Sequence, residues 1–367
     1  MRARVLVAMS GGVDSSVAAA MLVEQGYDVI GATMKLFCYG DDVPDRPCCS
    51  LDSINDARRV CEGLGIPHYV LNLESAFGHD VIDNFVSEYA AGRTPIPCVR
   101  CNTFTKFRDL LHKADAVDAS WIATGHYART HGGELLRGQD PGKDQSYFLW
   151  GIDRSVVRRM LLPVGDMSKA ETRARARTLG LQVVADKVES QDICFVPDGD
   201  HAKVIGRRLG ADTPALAPGP VMLADGRVVG EHDGYARYTI GQRRGVPGGF
   251  AEAMYVVAIR PAERAVVIGP REALLGHGVV AREMNWLVDR LPIGSRVEVQ
   301  VRHRAQPTPA HIVRLEGDEI ELALEAPVAA ITPGQSLVLY DGDRVLGGGF
   351  IERGGSAART TLPVIAA

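Results

Sequence analysis

Two groups of residues in this 367-residue chain could do chemistry. The first is Ser10-Gly11-Gly12-Val13-Asp14-Ser15. It lies between an apolar run, Val5-Leu6-Val7-Ala8-Met9, that reads as a buried strand and an alanine- and leucine-rich stretch, 16–25, that reads as a helix stopped by Gly26. A turn in that position carries free N–H groups at the positive end of a helix, so it is suited to phosphate. The glycines let backbone approach an anion without a Cβ in the way, and the serines add hydroxyl donors. An ordinary serine-rich turn is the plainer reading. A Walker-A loop would carry a lysine before its Ser/Thr, and none is here. That argues against γ-phosphoryl transfer and for a loop that holds pyrophosphate as a leaving group.

The second group is the cysteines: Cys38, Cys48, Cys49, Cys61, Cys98, Cys101 and Cys194. In a cytosolic chain they are not a disulfide framework. Cys61 falls on the apolar face of a predicted helix, 52–63, and belongs to the core. Cys98 and Cys101 form a C-x-x-C, and Cys194 closes the same unit. Three readings stay open. A structural zinc site wants four ligands, and the adjacent pair Cys48 and Cys49 would chelate poorly together. A dithiol couple fits C-x-x-C, although the motif is not expected to open a helix directly after a strand. A sulfur-handling site would pass sulfur between thiolates or hold an iron–sulfur cluster, three cysteines leaving one iron open to sulfide.

These residues need a frame. Predicted strands 27–36, 68–73 and 120–124 alternate with predicted helices 52–63, 77–91 and 104–114. That alternation argues for a doubly wound parallel α/β sheet, with ligands beyond the carboxyl ends of the strands, where residues 10–15 lie. Pro95 and Pro97 are expected to forbid regular structure over 94–102 and to stiffen that loop. Ser168 and Glu171 are spaced as a capping box opening a helix that ends near Gly180. Composition shifts near Leu209. Beyond it, β-type segments at 228–229, 255–259 and 265–268, then at 296–302, 311–315, 319–324 and 336–340, suggest small barrels or sandwiches. The tail after Gly354 is expected to fray.

Composition narrows the class. A hydrophobic share of 46% and a charged share of 23% are those of a soluble globular protein. No apolar run approaches the ~20 residues of a membrane span, and the chain enters a strand almost at once, so a cytoplasmic place of work is expected. The net charge of -4 creates no general attraction to nucleic acid. RNA binding would need local patches: Arg173, Arg175 and Arg177; Arg207 and Arg208; Arg243 and Arg244; Arg302 and Arg304. Each of these also reads as solvated surface charge.

The run from Ser10 to Ser15 resembles the signature of the ATP pyrophosphatase (PP-loop) superfamily, whose members adenylate a substrate oxygen. The resemblance sharpens with Thr94-Pro95-Ile96-Pro97 followed by Cys101-Asn102, with Gly125-His126-Tyr127, with Lys143-Asp144-Gln145-Ser146-Tyr147 and with Ser190-Gln191-Asp192-Ile193-Cys194-Phe195. It continues through Tyr238-Thr239-Ile240-Gly241-Gln242-Arg243-Arg244-Gly245 and Pro333-Gly334-Gln335-Ser336. Together, and in this order, the motifs resemble those of the bacterial tRNA-specific 2-thiouridylases over nearly the whole chain.

That resemblance implies a PP-loop adenylating domain at 1–205, a small central mostly-β domain at 206–276 and a C-terminal β-barrel at 277–367. It implies ATP-dependent replacement of O2 by sulfur on the wobble uridine of tRNAs for Lys, Glu and Gln, with Mg²⁺. The partners would be the anticodon stem-loop and a sulfur-donor protein, either a desulfurase or a sulfur carrier. Carried over, Ala8, Met9, Ser10, Gly11, Gly12, Val13, Asp14 and Ser15 would hold ATP, with Met34 and Gly125 at the nucleotide. Cys101 matches the nucleophile and Cys194 the persulfide-bearing cysteine; Ile96, Pro97 and Cys98 match the loop facing the target base. His126, Lys143, Asp144, Gln145, Arg302, His303 and Gln335 match tRNA-contacting positions.

Many members of that family carry aspartate where this chain has Cys98, so Cys98, Cys101 and Cys194 also resemble the ligands of a [4Fe–4S] cluster in iron–sulfur-dependent tRNA thiolases. The chemistry agrees with either sulfur source. AMP transfer turns uridine O2 into a leaving group, and a Cys194 persulfide or a cluster-bound sulfide then attacks C2. The base must be splayed into a pocket for this. Other PP-loop adenylators fit less well: an amidotransferase-coupled synthetase needs a glutaminase domain, and a 4-thiouridine synthetase usually has an RNA-binding domain ahead of the loop. A sulfur- or cluster-carrying tRNA scaffold without ATP chemistry is opposed by the intact loop.

Overall fold

The β-branched, apolar stretches of the first third form a parallel sheet. It is built from β1 (Arg4–Ala8), β2 (Asp28–Lys35), β3 (His68–Asn72), β4 (Trp121–Ala123) and, after the antiparallel hairpin β5 (Ala128–His131) and β6 (Glu134–Arg137), the short β7 (Met160–Leu161). This computed structural model describes residues 2–37, 51–187 and 193–355. The expectations on Cys38, Cys48 and Cys49, on Ser190-Gln191-Asp192 and on the end of the tail lie outside the described residues.

The sheet order is β3-β2-β1-β4-β7, and all neighbours run parallel. Chain order therefore reverses direction between β1 and β4, which opens a crevice at their carboxyl ends. Helices Val13–Glu24, Leu51–Leu64 and Lys169–Thr178 supply apolar side chains to the core on one face, where Cys61 is fully buried among them. Burial pushes the Cys61 thiol up to about 11, so it behaves as a core residue. The Ser168 box is formed: its hydroxyl accepts from Glu171 N–H at 3.2 Å and its N–H donates to the Glu171 carboxylate at 2.7 Å.

One expectation is corrected. Pro95 and Pro97 do not keep 94–102 irregular. Pro97 opens a helical turn, Pro97–Arg100, which continues through a wide π turn, Cys101–Lys106, into the helix Phe107–Ala116. Proline suits the first helical position because its missing N–H would be unpaired there anyway. The C-x-x-C thus does open a helix, although it follows a loop rather than a strand.

The central unit carries the helix His201–Leu209 and a four-stranded sheet of β8 (Gly219–Leu223), β9 (Val228–His232), β10 (Tyr255–Arg260) and β11 (Ala265–Gly269), ordered β10-β11-β8-β9. The last unit is a six-stranded antiparallel barrel of β12 (Leu275–Trp286), β13 (Arg296–Gln300), β14 (Thr308–Glu316), β15 (Glu319–Ala329), β16 (Ser336–Asp341) and β17 (Arg344–Gly355), closed by pairing of β12 with β17. β6 joins β17 at Leu136–Arg344, so the hairpin of the first unit extends the barrel sheet.

The units share cores. Leu6, Ile30 and Ile122 lie in one apolar cluster with Val338, Tyr340 and Phe350 of the barrel. Phe77, Phe85 and Tyr89 lie in another with Val221, Val256 and Ile268 of the central sheet. Among the described residues no helix is long and apolar enough to cross a membrane.

Candidate active site

The carboxyl end of β1 leads into residues 10–15, but helix Val13–Glu24 begins inside this motif, so Val13, Asp14 and Ser15 form its first turn rather than an approach to it. Gly12 is the N-cap and offers no side-chain acceptor, which leaves the first N–H groups for a ligand. Gly11 stands at φ +70°, where a Cβ would come 2.2 Å from the Ser53 carbonyl oxygen. The serines fasten the loop. Ser15 Oγ accepts from Ser10 N–H at 3.2 Å and donates to Gly12 O at 3.2 Å; Ser16 Oγ donates to Gly12 O at 2.8 Å. From β4 comes Gly125, packed so closely on the helix start that a Cβ would sit 2.5 Å from Ser15 N.

Above this loop lies a cavity of about 720 Å³, large enough for a nucleotide and part of a second substrate. Ala8, Met9, Ser10, Gly12, Val13, Asp14, Ser15, Met34 and Gly125, all expected at ATP, line it. Cys98, Cys194, His126, Lys143, Gln145 and His303 line it as well. The phosphate-type loop and two of the three candidate cysteines therefore face one space, to which the barrel contributes His303 and Arg304.

The charges are one-sided. Among the described residues the lining holds the cations Lys106, Lys143, Lys169, Lys187 and Arg304 against one carboxylate, Asp14. That composition suits a polyanion. Asp14 accepts from Lys169 Nζ at 2.8 and 2.9 Å and from the Tyr127 hydroxyl at 2.8 Å. Lys187 Nζ donates to Gly11 O at 3.1 Å and pairs with Asp56 at 2.8 Å, so it braces the turned glycine. His126 is neutral: burial, then Lys106, push its imidazole down to about 3. His303, 4.5 Å from the Phe148 ring by centroids, is also lowered, first by burial.

Several of the candidate residues are buried or make contacts within the protein. Cys101 is buried in the cluster of Phe77, Phe85 and Phe195, and Cys194 packs against the same cluster. Ile96 and Pro97 are buried while Cys98 is exposed, because the helical turn at Pro97 rotates Ile96 into the core with Val99. Asp144 is used inside its own turn, accepting from Gly138 N–H at 2.9 Å, Ser146 N–H at 3.0 Å and Arg137 at 3.3 Å. Gln145 exchanges hydrogen bonds with the Tyr127 backbone, its side chain accepting at 2.8 Å. Arg302 is exposed, and Gln335 turns toward residues 94–95.

The arginine run of the Lys169–Thr178 helix serves internal contacts. Arg173 donates to Ala185 O at 2.7 Å, Arg175 pairs with Glu24, and Arg177 pairs with Asp186 at 2.8 Å. Lys106, Lys169 and Lys187 were not singled out in the sequence. Only Lys169, first residue after the Ser168 cap, had a local signal.

The resemblance also implies the three cysteines as ligands of a cluster. Among the described residues no three Cys, His, Asp or Glu side chains gather as a metal-holding group. Cys98 and Cys194 reach the cavity while Cys101 is buried in the aromatic cluster, so the three do not stand together as the ligands of a [4Fe–4S] cluster.

Three family models match successive stretches of the chain. Residues 3–198 match the family model described as the tRNA methyl transferase HUP domain, residues 205–270 its PRC-barrel domain and residues 276–351 the aminomethyltransferase beta-barrel domain. The tRNA-specific 2-thiouridylase MnmA of Carboxydothermus hydrogenoformans is 46% identical over 364 residues, covering 96% of this chain and 98% of its own. That of Rhodospirillum rubrum is 48% identical over 365 residues, covering 95% and 96%. Identity at this level along nearly the full length of both chains leaves one assignment: the protein belongs to the tRNA-specific 2-thiouridylase MnmA family.

Proposed function

We propose that this chain uses ATP to replace O2 of the wobble uridine of tRNAs of the Lys, Glu and Gln type with sulfur. The observation that carries this reading is the common cavity: a helix N-terminus with open N–H groups, five cations and the side chains of Cys98 and Cys194 line one space. ATP phosphates would lie on residues 10–15 with Lys169 beside them, and the nucleoside against Ala8, Met34 and Gly125. Mg²⁺ fits to the extent that a triphosphate ion usually needs one or two protein carboxylates, and Asp14 supplies one; bound there, it would neutralise charge on the departing pyrophosphate.

Uridine O2 attacks the α-phosphorus and pyrophosphate leaves. The terminal sulfur of a Cys194 persulfide then attacks C2 and displaces AMP. Cys101 attacks the Cys194 sulfur, the C2–sulfur bond is kept, and a Cys101–Cys194 disulfide remains for a thiol reductant to open. A sulfur-donor protein, either a desulfurase or a sulfur carrier, would reload Cys194, with Cys98 at the cavity wall beside it. His126, Lys143, Arg302 and His303 would meet the anticodon stem-loop, whereas Asp144, Gln145 and Gln335 are engaged within the protein. We take the three working units as 1–205, 206–276 and 277–367, and the cytoplasm, where charged tRNA substrates and ATP meet, as the place of work.

The test separates the two half-reactions. With Cys194→Ser, tRNA-dependent ATP–pyrophosphate exchange should persist while thiolated uridine, read by mass spectrometry of digested tRNA, disappears. Thiolation by the Cys194→Ser protein, or wild-type exchange that ignores tRNA, would overturn the proposal.

A further inference from the structure

Two sequence motifs far from the chemistry, Thr239-Ile240-Gly241-Gln242 and Pro333-Gly334-Gln335-Ser336, meet on one short segment, Thr94-Pro95. That segment leads directly to Cys98. With prolines at 95 and 97, residues 94–97 retain only the N–H groups of Thr94 and Ile96, so the loop has few means of holding itself. Its backbone is held from outside instead. Thr94 N–H donates to Pro333 O at 2.9 Å. The Gln335 amide nitrogen donates to Thr94 O at 3.0 Å and to Pro95 O at 3.2 Å; both partners are carbonyls, which fixes the amide's orientation.

Gly334, at φ +88°, touches the same residue, and a Cβ on it would lie 2.8 Å from Thr94 O. From the central unit, Thr239 Oγ1 accepts from Thr94 Oγ1 at 3.2 Å. The clamp is itself rigid. Gly334 N–H donates to Ile351 O at 2.8 Å, and Ile351 N–H to Gln335 O at 2.7 Å, pinning the turn to β17. The next residue, Ser336, is tied to the first unit: its hydroxyl accepts from Trp150 Nε1 at 2.9 Å and its carbonyl from the Tyr147 hydroxyl at 2.8 Å.

We infer that Gln335, with Gly334, is a positioning residue through which the C-terminal barrel sets the 94–98 loop and hence the place of Cys98 at the cavity. The inference rests on the thiolation reading for its consequence, not for its geometry. Each lost neutral hydrogen bond is worth roughly threefold to tenfold in an equilibrium, so losing both should lower the ordered-to-disordered ratio of the loop by about ten- to a hundredfold.

The experiment uses the full chain carrying Gln335→Met, which keeps length without donors, and separately Gly334→Ala. Amide hydrogen exchange over 94–101 is measured without RNA, and tRNA affinity, KM and kcat are measured with it. Exchange faster by about ten- to a hundredfold and confined to 94–101, a lowered kcat, and unchanged tRNA affinity and KM are expected. Unchanged exchange in Gln335→Met overturns the clamp. So does weakened tRNA binding with protection intact, which would make Gln335 an RNA contact. Wild-type protein that thiolates nothing would sink the functional reading alone, because the exchange measurement does not depend on it.

Discussion

Lys169 is the residue whose removal should be most informative. The loop at 10–15 lacks the lysine of a Walker-A motif, and the fold brings one to the same cavity from the first position of the Lys169–Thr178 helix. Its ammonium lies 2.8 and 2.9 Å from the two Asp14 oxygens, on a side chain 12% exposed. Lys169→Met keeps the stem and removes the charge. Leaving Asp14 without this partner should cost about 1.5–3 kcal/mol of stability, the range for a charge-assisted hydrogen bond. Loss of a cation aimed at developing phosphate charge should cost a further about 2.7–4 kcal/mol in the transition state, or about 10²- to 10³-fold in rate. The two effects separate in Asp14→Asn/Lys169→Met, which no longer strands a carboxylate. The double variant should recover melting temperature, whereas the loss of tRNA-dependent ATP–pyrophosphate exchange is read in Lys169→Met alone, because Asp14 is itself the carboxylate proposed for Mg²⁺. Exchange by Lys169→Met within about threefold of wild type, less than 1 kcal/mol of barrier, would refute the reasoning.

Acid should destabilise the fold through His126. Its imidazole titrates near 6.5 when unfolded but is held at about 3 here, so the native state binds fewer protons and stability falls as pH drops below ~6.5, by at most about 1.4 kcal/mol per unit. Urea midpoints at pH 7 and pH 5 should therefore converge in His126→Gln, and an unchanged pH dependence would count against the assignment. Binding of tRNA should weaken with salt despite the net charge of -4. Four exposed arginines, Arg243, Arg244, Arg302 and Arg304, give a log–log slope of about -3 to -4 if each meets a phosphate, and a flat plot would remove them from the interface.

The sheet and its ligand end were legible because β1, the glycine pair and the helix behind them are contiguous, and their local chemistry permits little else. The barrel was only half legible. β13 to β15 carry largely alternating apolar residues and β16 a continuous apolar run, but β17 contains Gly347-Gly348-Gly349, which reads as a turn. The glycines are there for contact: a Cβ would fall 2.3 Å from Asn285 O at 347, 2.7 Å from the Trp150 ring at 348 and 2.7 Å from the Met284 sulfur at 349. The hairpin of β5 and β6 had a readable signal in Gly132-Gly133, both at positive φ. The cavity cations had almost none, since Lys106, Lys169 and Lys187 become neighbours only once the sheet has formed.

Polar motif residues invite a reading as ligand contacts, and at Asp144, Gln145 and Gln335 the structure gives them another duty. The cavity sits where the parallel sheet, the π-turned helix and the barrel meet, and among the described residues β6 pairs with β17 across that border only at Leu136–Arg344. Backbone groups there still need partners when removed from water. Asp144 takes the N–H groups of Gly138 and Ser146, Gln145 takes that of Tyr127, and Gln335 takes the carbonyls of Thr94 and Pro95. Each of these acts as a one-residue substitute for a strand pairing. The walls of the site are consequently shaped in large part by single side chains. A change from Asp144 to Asn would keep the bulk yet exchange an acceptor for a donor facing N–H groups or Arg137, and the deformation would pass directly into the wall that carries Lys143 and Phe148.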